Sequence, residues 1–291
     1  MKTIVIIHNL NSRGKNINED YVRELLNKKG IKFHYFQTKQ ISDVDEIIKK
    51  YNNPSEFQYC SIGGDGSLNA LVNSLMKNNI TMPEVSCLPG GSGSDFIRTF
   101  ALPQNIEQAV EHLVYDNFYE VDVGLIKNKT DAKYFINVLN IGFLASTVEV
   151  SEKFPNLFRA FRYPLSFWIK IITARAKEMT ISNDKYEFKG MAFNICVCNA
   201  QYFGGGWNIS PKSSLQDGLF NIQVFAVTKL KAMQIFFLAK KGLHLKESSV
   251  KLKRLSQLTV NSKDPIEIDG DFFGYGPAEI FIKKRAIRFK I

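Results

Sequence analysis

The sequence predicts an α/β domain built on a parallel sheet, followed by a mainly antiparallel β domain. Three observations carry this. From Met1 to about Asp122, apolar strand-like runs alternate with helical segments, the pattern of a parallel sheet with helices on both faces. After Asp122 the signals are mostly strands of period two. The chain of 291 residues, 45% hydrophobic, is long enough for two medium-sized cores.

In the first half, the strand runs "TIVIIH", "KFHYFQT", "FQYCSIG" and "EVSCLPG" alternate with "EDYVRELLNKKG", "VDEIIKKY", "SLNALVNSLM" and "NIEQAVEHLVYD". In the second half, the strands are "KYFINVLNIGF", "KGMAFNICVCNA", "GLFNIQVFAV", "IEIDGDFF" and "AEIFIKKRAIRFKI". Met191, Phe193, Ile195 and Val197 alternate there with Ala192, Asn194, Cys196 and Cys198, which suggests a sandwich or barrel-like sheet. Helical stretches over 163–177 and 230–242 interrupt it. The expected domains are 1–122 and 123–291.

With 38 Lys and Arg against 28 Asp and Glu, the net charge is +10 and the surface potential positive. The cations are scattered in short pairs, without the dense block of an electrostatic tail. The four cysteines have no histidine cluster beside them and read as buried free thiols. No apolar run approaches the roughly 20 residues needed to span a bilayer, and no secretory leader is evident. A cytoplasmic location is expected.

Two loops carry chemistry. In "YCSIGGDGSLNALVNSLM" (59–76), Tyr59, Cys60 and Ile62 end a buried strand, and Leu68, Leu71, Val72, Leu75 and Met76 share one helix face. Gly63, Gly64, Asp65 and Gly66 therefore form a strand-to-helix turn. Glycine lets a ligand approach the main chain there, and the free N–H groups of a helix start suit phosphate. "CLPGGSGSDFIRTF" (87–100) repeats the arrangement, with Ser92, Ser94 and Asp95 near the second helix start. Each loop alone also reads as a tight turn with a capping Ser or Asp. Two of them at the carboxyl ends of parallel strands point to nucleotide phosphates with Mg2+. Neither contains G-x-x-x-x-G-K-[ST] or G-x-G-x-x-G, so the commoner phosphate fingerprints are excluded.

"GGDGSLN", "PGGSGSDFIR", "NAQYFGGGWNISPKSSLQDGLFNIQVF" and "IEIDGD", in this order, resemble the successive motifs of the diacylglycerol kinase catalytic domain family, which includes bacterial soluble lipid kinases and sphingosine kinases. The resemblance runs from "IIHNLNS" (6–12) to the last strand. It implies a Rossmann-like ATP-binding domain, a C-terminal antiparallel β-sandwich domain for the lipid, and an active site in the cleft between them. It also implies roles for single residues. Asp65 resembles the acid that serves the ATP phosphates through Mg2+, with Gly64, Gly66 and Ser67 as the backbone cradle. Asn9 and Ser12 fall in the first nucleotide motif, Thr38 ends the second strand, and Ser92 belongs to the second loop. Asp95 and Arg98 match a family Asp-Phe-x-Arg whose Asp organises metal and cleft. Asp217 resembles an acid that binds a second, structural Mg2+ together with the main-chain carbonyls of Ser214 and Leu219, an oxygen-only site suited to a hard cation. Asp271 stands where the family has the Glu of Asp-Gly-Glu, the base that accepts the hydroxyl proton. The chain departs from the family pattern here and at Leu10, Ala70 and Ser94.

The resemblance thus implies an ATP- and Mg2+-dependent kinase of a membrane lipid, diacylglycerol first. The alternatives are another lipid (a sphingoid base, ceramide or polyprenol), a soluble metabolite as in NAD kinases and phosphofructokinases, or a catalytically silent nucleotide- or lipid-binding regulator. At residues 154–179, Phe154, Phe158, Phe161, Trp168 and Ile172 are interleaved with Arg159, Arg162, Lys170, Arg175 and Lys177. This describes a segment docking on an anionic membrane surface, and equally a packed helix with a basic outer face. Peripheral membrane association is expected and a nucleic-acid partner is not; the family pattern is compatible with a homodimer.

Overall fold

The computed structural model describes residues 2–12, 17–91, 94–155 and 162–291. Two compact units form, one from Met1–Val123 with Lys283–Ile291 and the other from Gly124–Ile282.

The first unit contains β1 (Thr3–Asn9), α1 (Glu19–Lys28), β2 (Phe33–Thr38), α2 (Ile41–Lys50), β3 (Phe57–Gly63), α3 (Asp65–Lys77), β4 (Glu84–Pro89), α4 (Asp95–Arg98) and α5 (Ile106–His112). α1 starts where the Asn18 side chain accepts the N–H groups of Asp20 and Tyr21, and it buries Val22 and Leu26. These pack with Ile4, Ile6, Cys60 and Ile62 of the strands and with Val110 of α5. The strands are parallel in the order β2-β1-β3-β4. The order reverses between β1 and β3, and open α/β sheets bind ligands beyond the carboxyl ends of strands at such a point. Asn9, Thr38, Gly63 and Pro89 occupy those ends.

β5 (Phe118–Lys127) leads into the second unit, which contains β6 (Ala132–Phe135), β7 (Val138–Gly142), α6 (Phe143–Glu152), α7 (Arg162–Thr173), β8 (Lys177–Asn183), β9 (Tyr186–Ala192), β10 (Asn194–Cys198), β11 (Phe220–Phe225), α8 (Lys229–Ala239), β12 (Val250–Leu255), β13 (Gln257–Val260), β14 (Pro265–Ile268), β15 (Asp271–Tyr275) and the start of β16 (Ala278–Lys290). One antiparallel sheet runs β12-β11-β10-β7-β14-β15, and a second runs from β16 through β13 and β8 to β9. Ile195, Val197, Phe220 and Ile222 of the first sheet share a core with Met179, Ile181, Leu258 and Ile280 of the second. On its other face the first sheet packs Val138, Cys196, Cys198 and Phe225 against Ile171 of α7 and Ile235 of α8.

Two expectations differ in detail. The run 191–198 is two strands: it changes sheet at Phe193, whose N–H bonds Phe225 at 2.8 Å and whose carbonyl accepts from Phe143 at 3.2 Å. β10 is buried on both faces, so alternation there does not separate inside from outside. The expected second domain, 123–291, also loses its last residues to the first unit. Arg285 takes φ +48°, with its N–H on Asp122 at 2.7 Å, and beyond it Arg288 and Phe289 pair in parallel with Glu84 and Val85 of β4.

Candidate active site

Three loops at the carboxyl end of the parallel sheet are tied together. Asn9 Nδ2 donates to Ser67 Oγ at 3.0 Å, Ser12 Oγ donates to the Gly90 carbonyl at 3.3 Å, and the Gly90 N–H bonds the Gly63 carbonyl at 3.0 Å. Asp65 accepts the backbone N–H groups of Asp95 and Phe96. Gly63 must be glycine, because a Cβ there would meet Ser67 Oγ at 2.2 Å. α3 begins at Asp65 behind Gly64, and a Cβ on Gly66 would have nothing within 4 Å, so the first turn of α3 has an open face. The start of a helix is the end that suits an anion.

The predicted residues Asn9, Thr38 and Ser67 line one pocket of about 460 Å³ together with Lys39, Gln40 and Ala70. Thr38 is buried, its hydroxyl on the His8 carbonyl at 3.3 Å. Asp95 is buried too, with Arg98 Nε 3.7 Å from its Oδ1. Ser92 lies outside the described residues. Lys39 and Gln40 were not singled out by sequence. The available signal was their position just after β2, level with the end of β1 in a parallel register.

In the second unit, β14 and β15 form a hairpin with a two-residue turn at Asp269 and Gly270, with φ +50° and +93°. Asp-Gly suits the paired left-handed conformations of such a turn. The Asp269 carboxylate accepts three consecutive backbone N–H groups, from Ile136 at 2.8 Å, Asn137 at 2.9 Å and Val138 at 3.0 Å. Glu267 Oε2 takes the Gly270 N–H at 2.9 Å, and Glu152 takes that of Phe272 at 3.0 Å. Asp271 stands apart: its side chain is 61% exposed and meets Lys133 Nζ at 3.3 Å.

Residues 3–126 match the family described as the diacylglycerol kinase catalytic domain, and residues 137–290 match the YegS C-terminal NAD kinase beta sandwich-like domain. The chain belongs to the diacylglycerol kinase catalytic domain family. It is a lipid kinase. It is 25% identical over 269 residues to a diacylglycerol kinase of Staphylococcus saprophyticus, covering 90% of this chain and 86% of that protein. It is 26% identical over 293 residues to a diacylglycerol kinase of Staphylococcus carnosus, covering 97% and 92%. The crystal structure of a diacylglycerol kinase from Bacillus anthracis shares the fold, with TM-score 0.74 over 99% of this chain and 96% of that one, at 19% identity.

For this lipid kinase, two features bear on the metal and the acceptor. Asp217 Oδ1 accepts the Leu219 N–H at 3.0 Å and its Oδ2 pairs with Arg254, while Ser214 Oγ accepts from the Gln216 N–H at 3.4 Å. The donors are oxygens, as a hard cation requires, but Arg254 already neutralises the carboxylate, so the arrangement does not fit a cation as it stands. Among the described residues no cluster of three His, Cys, Asp or Glu side chains forms. Asp65 and Asp95 in the first unit bring two carboxylates to the second glycine loop, and their oxygens are of the kind a hard cation takes.

The second feature is an apolar groove of about 540 Å³ under α7 and α8. Phe143, Phe167, Phe203, Trp207 and Phe236 line it, and Asn194 is a polar group in its wall. Outside the groove, Trp168 and Ile172 of α7 and Leu230 and Phe237 of α8 are exposed. Of the predicted interfacial residues, Phe158, Arg159 and Phe161 lie outside the described residues.

Proposed function

We propose that this lipid kinase transfers the γ-phosphate of ATP to the free hydroxyl of diacylglycerol, giving phosphatidic acid. The observation that carries the reading is the turn at Asp269 and Gly270. Asp269 is committed to the N–H groups of Ile136, Asn137 and Val138 and Glu267 to that of Gly270, and the exposed carboxylate of Asp271 is the acid the turn offers to a substrate.

In this reading the pocket at Asn9, Thr38 and Ser67 takes the nucleotide, and the N–H groups at Gly64 and Gly66 receive its phosphates. Mg2+, when bound with the nucleotide, supplies charge neutralisation. Asp65 and Asp95 are the acids that would hold it, and Arg98 orients Asp95. Asp271 accepts the proton of the lipid hydroxyl as its oxygen bonds to the γ-phosphorus; the bond from that phosphorus to the bridging oxygen breaks and ADP leaves. The groove under α7 and α8 has the apolar, aromatic lining that suits an acyl chain. Trp168, Ile172, Leu230 and Phe237, with Lys170 and Lys229 on the same two helices and Lys240 just after the second, suit an anionic bilayer surface. Among the described residues no helix is long and apolar enough to cross a membrane, so contact at the surface is the mode this reading requires.

The test is transfer of labelled γ-phosphate from ATP, with Mg2+, to diacylglycerol, sphingosine, ceramide and polyprenol in mixed micelles containing anionic lipid. Product on diacylglycerol, abolished by Asp65→Ala and Asp271→Asn, is expected. No product on any lipid while ATP still binds would overturn the reading in favour of a soluble substrate or a regulator.

A further inference from the structure

Glu267 is the acid in "IEIDGD" that the fold hides. It is 4% exposed, on β14 between Ile266 and Ile268, whose side chains enter the core between the sheets. Alternation along the strand puts Glu267 on the opposite face, where a solvent-exposed acid would be ordinary. Here that face is covered. Glu267 Oε1 accepts from Asn140 Nδ2. Asn140 Oδ1 accepts in turn from Asn194 Nδ2 at 3.1 Å and from Cys196 Sγ at 2.8 Å. Asn194 Oδ1 takes the Leu144 N–H at 3.0 Å, in the first turn of α6. The same helix reaches the far side of the hairpin, where Glu149 accepts from the Tyr275 hydroxyl at 2.8 Å.

A line of hydrogen bonds, buried as far as Glu267, thus runs from α6 through Asn194, Asn140 and Glu267 to the Gly270 N–H. Burying a carboxyl is unfavourable, and an apolar side chain of similar volume would pack at this position with less penalty. What the carboxyl supplies is an acceptor for one particular N–H, the one preceding Asp271. Asp271 has a short side chain, so the position of its carboxylate is set almost wholly by the backbone of the turn.

We propose that Glu267 is a positioning residue: by holding the Gly270 N–H, with Asn140 bracing it from behind, it fixes where Asp271 presents its carboxylate. This rests on the reading of Asp271 as the base. Displacements on the order of 1 Å in a catalytic group cost about a hundredfold in rate, so releasing the turn acts on turnover and leaves the nucleotide untouched.

The experiment compares Glu267→Gln, which keeps an acceptor, with Glu267→Met, which fills the space without one, beside Asp271→Asn. The readouts are kcat and KM for ATP in the micelle assay, and hydrogen exchange at the Gly270 amide by NMR of protein labelled with 15N-glycine. The Met variant should lose about tenfold to a hundredfold in kcat at unchanged KM for ATP, with faster exchange at Gly270; the Gln variant should restore both. Wild-type exchange at Gly270 in the Met variant, or equal loss of kcat in both variants, overturns the proposal. Full turnover in Asp271→Asn is a different failure: it removes Asp271 as the base, and with it the residue Glu267 was assigned to position, whatever the Gly270 amide shows.

Discussion

Asp65 closes the start of the helix that begins with Asp95: its two carboxylate oxygens accept the N–H groups of Asp95 and Phe96, each at 2.9 Å. The acid of the first glycine loop therefore also anchors the second. Asp65→Ala removes both acceptors. Loss of a capping side chain costs about 0.5–2 kcal/mol, so urea unfolding should shift to lower denaturant, and Asp65→Asn, with one acceptor oxygen left, should shift less. An Ala variant as stable as wild type would show that the cap carries no weight.

Asp269 and Asp271 are two residues apart and should respond oppositely to truncation. Asp269→Ala orphans three N–H groups, at Ile136, Asn137 and Val138. Each unsatisfied buried group costs about 1–3 kcal/mol, so this variant should be severely destabilised. Asp271→Ala should unfold like wild type while losing turnover, since the ion pair its side chain makes with Lys133 is exposed. Chemical denaturation of the two variants decides it; comparable destabilisation would assign Asp271 a structural role.

Burial sets two opposing pH dependences. It pushes Glu267 up to about 8 from an ordinary 4.5. Between those values the folded chain keeps a proton that the unfolded chain has lost, so stability falls as pH rises, by at most about 1.4 kcal/mol per pH unit. Burial lowers His244 from 6.5 to about 4, with its Nε2 held by Gln223 at 2.9 Å. There the unfolded chain takes up the proton first, and stability falls as pH drops through that window. Thermal melts from pH 5 to 8 should show wild type losing stability relative to Glu267→Gln as pH rises. Parallel curves would mean that Glu267 is ionised in the fold.

If Asp217 holds Mg2+ with the carbonyls of Ser214 and Leu219, Arg254 is its competitor. Arg254→Ala should increase the thermal stabilisation that Mg2+ confers, and a tenfold gain in affinity would appear as about 1.4 kcal/mol at saturating ion. An identical Mg2+ response in wild type and variant would place that ion elsewhere.

Ile172 and Phe237 are 73% and 66% exposed, so charging them leaves the core intact. Burying such a side chain is worth about 1.5–3 kcal/mol. Ile172→Glu and Phe237→Glu should therefore each weaken binding to vesicles containing phosphatidylglycerol by about tenfold or more, measured by cosedimentation, with activity on short-chain, water-soluble diacylglycerol retained. Undiminished vesicle binding would exclude this face.

The parts legible in the sequence are those whose reasons are local. Gly63 ends β3 and Gly64 leads into α3, and strand, glycines and helix face are all adjacent in the chain, so the first loop and the parallel unit can be read directly. Asp271 is marked by its motif. What escapes is set by contacts distant in sequence. Glu267 occupies an alternating position that predicts solvent, and nothing in its own strand reveals that α6 and Asn140 lie over it. Cys196 and Cys198 read correctly as buried free thiols, but that α7 and α8 are what covers them is set by contacts distant in sequence. Asp217 reads as a ligand until Arg254, on β12, is found against it.

The path of β16 bears on how the protein is made. Phe289 lies edge-on to Phe96 and stacked on Phe100 at centroid distances of 4.9 and 5.4 Å, and Arg288 bonds Glu84 at 2.6 Å, so the first unit includes side chains that follow the whole of the second unit in the chain. The first unit cannot complete its sheet until Lys283–Ile291 have been made, after the whole of the second unit. A chain cut before Lys283 would leave that unit without its closing strand although every glycine loop and acid named above had been translated.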